Sequence, residues 1–97
     1  MTTTVVMVHG IRTSATMWRS QLAHLAERGV TAVAVDLPGH GTRMTETFTL
    51  EGALATIDDA VRTAAANGRV LLVGHSMGGL VSTAYVGGEQ KPLVDAF

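Results

Sequence analysis

The chain contains no cysteine, which excludes a disulfide framework, a thiolate zinc site and a cysteine nucleophile at once. Neither sign of charge is in excess: seven lysines and arginines face eight aspartates and glutamates, for a formal net charge of −1. The basic surface that would hold nucleic acid or an anionic membrane is missing, so neither is expected as a partner. The opening MTTTVVMVHG has no basic segment ahead of its apolar residues, and its apolar run is too short for a secretory leader or a membrane span. A soluble, cytoplasmic protein is expected. Repeats and low-complexity tracts are absent, and no GxxxxGK[ST] phosphate loop occurs.

What is present is a chain rich enough in apolar residues to bury a core, 46% hydrophobic against 15% charged over 97 residues, and short enough for one domain at most. Three continuous apolar runs read as strands buried on both faces: Val5 to Val8, Thr31 to Val35 and Val70 to Val73. Between the first two, Met17, Trp18, Leu22 and Leu25 fall at helical spacing, which predicts a helix from about Ala15 to Arg28, capped by Ser14 or Thr16 and stopped at Gly29. Between the second and third, Leu50, Ala53, Leu54, Ile57, Ala60, Val61 and Ala64 form a stripe closed by Asn67 and Gly68. A third helix follows, carrying Leu80, Val81, Ala84 and Tyr85. Alternating strands and helices imply a three-layer α/β sandwich, with a parallel sheet of order 2-1-3 and helices on both faces. The switch point of such a sheet lies at the carboxyl ends of strands one and three, where His9-Gly10-Ile11 and Gly74 to Gly79 emerge.

Gly74-His75-Ser76-Met77-Gly78 fits G-x-S-x-G in the context the motif requires, a strand before and a helix after. A serine held on so sharp a turn strains its backbone, and glycines two before and two after it let strand and helix approach. Ser76 would project its hydroxyl from the sheet beside N–H groups that have no intrahelical partner, where a developing oxyanion is stabilised. The Met77 N–H is the natural donor, and the Ile11 N–H is the candidate from the neighbouring loop. The competing reading of Ser76 is a helix N-cap. Dinucleotide binding fails because Ser76 stands where G-x-G-x-x-G needs its second glycine. His75 should diverge from the Ser76 hydroxyl, His9 reads as a loop-shaping hydrogen-bonding residue, His24 as a solvated or half-buried helical residue, and His40 as a possible substrate contact. Asp36 reads as a turn residue, and Trp18 as core or pocket lining.

The blocks VVMVHG, VAVDLPGHG and LLVGHSMGG, in this order and spacing, resemble the α/β-hydrolase superfamily, in particular its compact esterase, lipase-like and methylesterase-type members. The resemblance implies that residues 1–97 are the N-terminal part of one hydrolase domain, with the three strands corresponding to the third, fourth and fifth of an eight-stranded sheet and the C-terminal half absent. It implies Ser76 as nucleophile, Ile11 and Met77 as oxyanion donors, and His9, Gly10, Gly74 and Gly78 as structural residues of the site. The triad acid and histidine would lie on later strands, so the chain is expected to be an incomplete, inactive fragment. Leu93 to Phe97 look like the start of the next strand, and the outer edge of strand three is expected to be unpaired. The implied substrate is a small-molecule carboxylic ester, thioester, lactone or amide, with no cofactor and no metal. A lyase or cofactor-free haloperoxidase on the same fold, and a catalytically dead binding module, are the alternatives.

Overall fold

In the computed structural model, which describes residues 2–88 and 94–97, the three apolar runs form one parallel sheet. Strands β1 (Thr2–Val8), β2 (Thr31–Val35) and β3 (Gly68–Gly74) lie in the order β2-β1-β3. The central strand pairs Thr4 to Val8 with Thr31 to Val35 on one side and Thr2 to Val8 with Gly68 to Gly74 on the other. Strands β1 and β3 start earlier than their apolar cores because Thr2, Thr3 and Thr4, β-branched and able to fill ladder positions, pair with Gly68, Arg69 and Val70.

Helices cover both faces. On one, Trp18 packs with Val5 and Met7, flanked by Leu22 and Leu25 of α1 (Arg19–Glu27). On the other, Ala53, Ile57, Val61 and Ala64 of α2 (Leu50–Ala65) and Val81 of α3 (Met77–Val86) bury Val6, Val8, Val70 and Leu72. The stripe predicted for α2 is this buried face, entered through Thr49, whose hydroxyl accepts the Gly52 N–H at 2.9 Å. The helix predicted from Ala15 opens instead as a 3₁₀ turn, Ala15–Trp18, with Ser14 accepting the Thr16 N–H, and becomes α-helical only at Arg19. Gly29, at φ +73°, ends it as expected.

The outer edge of β3 is not bare. Val94 to Phe97 lie along it: the Leu72 N–H donates to Ala96 O at 3.0 Å, the Asp95 N–H to Val70 O at 2.9 Å, and Leu71 bridges Ala96 in parallel. The expectation of an unpaired edge is therefore corrected over this stretch. Of the strand expected from Leu93, the described residues show a single parallel bridge at Ala96, beside the Asp95 bond to Val70, and Leu93 lies outside the described residues.

Candidate active site

Strand β3 ends at Gly74 and α3 begins at Met77, so His75 and Ser76 alone make the turn. The backbone of Ser76 sits at φ 55°, ψ −115°, a left-handed conformation that costs a non-glycine residue about 1–3 kcal/mol. Close packing holds it there. A Cβ on Gly74 would stand 2.6 Å from Gly78 O, and one on Gly78 would run into the carbonyl oxygens of Val8 and His9. The end of β1, the turn and the first turn of α3 therefore meet backbone to backbone. The His75 N–H donates to Val8 O at 3.1 Å and the Gly78 N–H to His75 O at 2.9 Å.

Ser76 is exposed, and among the described residues its hydroxyl makes no hydrogen bond, so it does not act as the side-chain N-cap of α3. Gly10 lies against it: a Cβ on Gly10 would sit 3.3 Å from Ser76 Cβ and from His75 O. The loop that carries Ile11 thus abuts the serine. Neither the Ile11 nor the Met77 N–H has a backbone or side-chain acceptor among the described residues. The Ile11 side chain is exposed.

His9 is fully buried with both ring nitrogens engaged. Nε2 accepts the Leu37 N–H at 3.0 Å, so the proton is on Nδ1, which donates to Gly10 O at 2.7 Å. Burial holds its pKa below the ordinary histidine value, against the bond to Gly10 O, which acts the other way. His9 shapes the loop, as the sequence suggests. His40 stacks at a tilt on His9, ring centroids 4.9 Å apart, and lies edge-on to Phe48 at 5.9 Å. His75 meets the edge of Trp18 at 6.5 Å, and His24 is exposed on α1 beside Arg28.

What sequence reasoning missed is the part played by Asp36. Its carboxylate accepts the Ala15 N–H at 2.8 Å through Oδ1, and the Thr42 N–H and hydroxyl at 3.1 and 2.8 Å through Oδ2. Partial burial disfavours the charge, but these three bonds outweigh it and hold the carboxyl below its usual range. Arg43 closes the same loop from below, donating to Asp36 O at 3.2 Å and to the Thr56 hydroxyl, and pairing with Glu46. The local sign was Gly41, at φ +55°, where any Cβ would strike the Asp36 carboxylate. A separate groove of about 690 Å³ runs between the outer edge of β2 and α2, lined by Val33, Val35, Ala60 and Thr63 among others; Ser76 is not part of it.

A model of the alpha/beta hydrolase family matches residues 5–97. The chain belongs to the alpha/beta hydrolase family. Esterase PIR7B of Oryza sativa subsp. japonica is 40% identical over 79 residues, which is 77% of this chain and 30% of that protein. Among solved structures, an alpha/beta hydrolase fold with TM-score 0.76 and 26% identity is polyneuridine aldehyde esterase, aligned over 89% of this chain and 35% of its own. An extracellular alpha/beta-hydrolase from a Paenibacillus species aligns at TM-score 0.73 and 26% identity, over 86% and 34% respectively. The chain thus spans about a third or less of the length of these family members. Among the described residues no helix is long and apolar enough to cross a membrane, and no cluster of histidine, aspartate and glutamate could hold a metal ion.

Proposed function

We propose that the protein hydrolyses the carboxylic ester of a small molecule through an acyl-enzyme on Ser76. The observation that carries this reading is the left-handed serine on a turn where positions 74 and 78 admit only glycine. An N-cap or a connecting turn needs no such strain, and strain of this kind concentrates where a side chain has to be aimed. The hydroxyl oxygen attacks the ester carbonyl carbon while its proton passes to a base, and the carbonyl electrons move onto oxygen. The Met77 and Ile11 N–H groups, free of other acceptors, receive that oxyanion. Collapse expels the alkoxide, which takes the proton from the base, and water repeats the sequence on the acyl-enzyme.

The base is not one of the histidines near the serine in this chain. His9 has both nitrogens committed, and His75 is consecutive with Ser76 and turned onto Trp18. The relay is completed by a histidine and an acid from beyond residues 1–97, a reading supported by relatives of which the aligned part is only about a third. Domain membership follows the same reading, residues 1–97 forming the N-terminal part of one hydrolase domain. The esterase names of the relatives support an ester as substrate.

The test is a fluorophosphonate adduct mapped by peptide mass in the protein expressed from its whole reading frame. The label is expected on Ser76, with labelling and short-chain ester turnover both lost in Ser76→Ala. An adduct on any other residue refutes the assignment.

A further inference from the structure

The loop after β1 runs from His9 to the 3₁₀ turn at Ala15, and it is anchored at both ends. At its start, His9 and Gly10 are fixed by the Leu37 N–H and by contact with Ser76. At its end, the Ala15 N–H is the first of a helical turn and has no partner within it. Its acceptor comes from 21 residues away, Asp36 Oδ1 at 2.8 Å. Asp36 is in turn held by Thr42 and by the tight approach of Gly41. Between these two anchors lie Ile11, Arg12, Thr13 and Ser14. Arg12 has φ +60°. Thr13 ties back to Gly10 O through its hydroxyl and N–H, and beyond it the hydrogen bonds of Thr13 and Ser14 run forward to Thr16 and Met17, within the helical turn that Asp36 anchors.

We infer that Asp36 is a positioning residue for the reaction at Ser76: its hydrogen bond to the Ala15 N–H fixes the far end of the loop whose Ile11 N–H receives the oxyanion. This rests on the proposed role of Ser76 and its two donors. The carboxylate touches neither substrate nor serine, and acts through the loop alone. Without the anchor, Ile11 and the left-handed Arg12 can relax together, and the N–H drifts from the place where charge develops. Loss of a whole oxyanion donor costs about a hundredfold to a thousandfold in kcat, and a displacement of about 1 Å can cost a hundredfold. Because the donor matters most in the transition state, the loss falls on kcat and spares KM.

Two substitutions remove the same bond from opposite ends. Asp36→Ala deletes the acceptor together with the Thr42 contacts. Ala15→Pro deletes the donor and sets the ring Cδ where the Ala15 N–H now meets Asp36 Oδ1, so the carboxylate must turn away. The position is the first of a helical turn, where proline is otherwise accommodated, and follows a Ser14 that is already extended (φ −158°, ψ −177°). In the protein expressed from its whole reading frame, each is expected to lower kcat for a short-chain ester about ten- to a hundredfold with KM within about twofold, and the double variant to lose no more than the more damaged single variant. If Asp36→Ala does not fold, Ala15→Pro decides alone. Parental kcat in folded Ala15→Pro, or losses that multiply in the double variant, overturns the inference while Ser76→Ala remains inactive. Full turnover in Ser76→Ala removes the reading beneath it instead.

Discussion

Placing a single methyl group on Gly78 tests the packing that holds the serine turn. The added carbon would stand 2.8 Å from the Val8 carbonyl carbon and closer still to the Val8 and His9 carbonyl oxygens. All three are backbone atoms, of the last residue of the central strand and of the residue after it, so no side chain can swing aside. Relief requires α3 to withdraw from β1 by about 1 Å, which opens the core at Val81 and strains the turn at Ser76. Overpacking of this severity lies at the upper end of the usual range, about 3 kcal/mol. The neighbouring glycine supplies the control. A Cβ on Gly79 meets nothing nearer than Gly74 O at 3.5 Å, ordinary contact, and alanine there gains up to about 1 kcal/mol of helix propensity. Urea unfolding reads both. With a slope of about 1–3 kcal/mol/M, Gly78→Ala should lower the midpoint by about 1–3 M, and Gly79→Ala should leave it in place or raise it slightly. Parental stability in Gly78→Ala, or equal damage from both substitutions, would show that the strand and helix do not meet as described.

His9 and Tyr85 give predictions that depend on pH. The pKa of His9 is lowered by burial, so the native state binds this proton less readily than the unfolded chain; stability is complete above the ordinary value of 6.5 and falls as pH drops below it toward the folded value. Denaturant midpoints measured from neutral to mildly acid pH should show that decline, flattened in His9→Gln. Tyr85, the single tyrosine, is half-buried and donates to Asp58 Oδ1 at 2.7 Å; burial first, then that bond, push its pKa up to about 12. Spectrophotometric titration should find the phenol still protonated well above its ordinary value of 10, with a lower midpoint in Asp58→Asn, and Tyr85→Phe should cost about 1 kcal/mol.

The parts of this fold that could be read from the sequence are those set by local pattern. Val5 to Val8 and Val70 to Val73 are strands because a run of apolar residues with no polar alternate has to be buried on both faces, and the α2 stripe has only one way to be buried. The serine turn was legible because its crowding is written in glycines two residues to either side. What could not be read was made by contacts distant in sequence. Asp36 looks like any aspartate at the end of a strand until Ala15 and Thr42 are brought to it. Thr2 to Thr4 look like a polar terminus until β3 supplies the ladder. The 3₁₀ opening before α1 follows the same rule, for the Ser14 cap and the Asp36 bond fix the first turn and periodicity sees neither.

Asp95 has a further consequence for the exposed side of β3. Its carboxylate takes the Val70 N–H at 2.8 Å, the slot in which a neighbouring strand would place a carbonyl, while its own N–H satisfies Val70 O. One residue therefore closes both hydrogen-bonding groups of Val70 to any second molecule seeking a ladder there. It also marks where pairing starts: a segment slipped by one residue would lose the carboxylate contact and turn its side chains to the opposite face. The same carboxylate sets a negative charge on the edge, the kind of side chain that discourages strand pairing between copies.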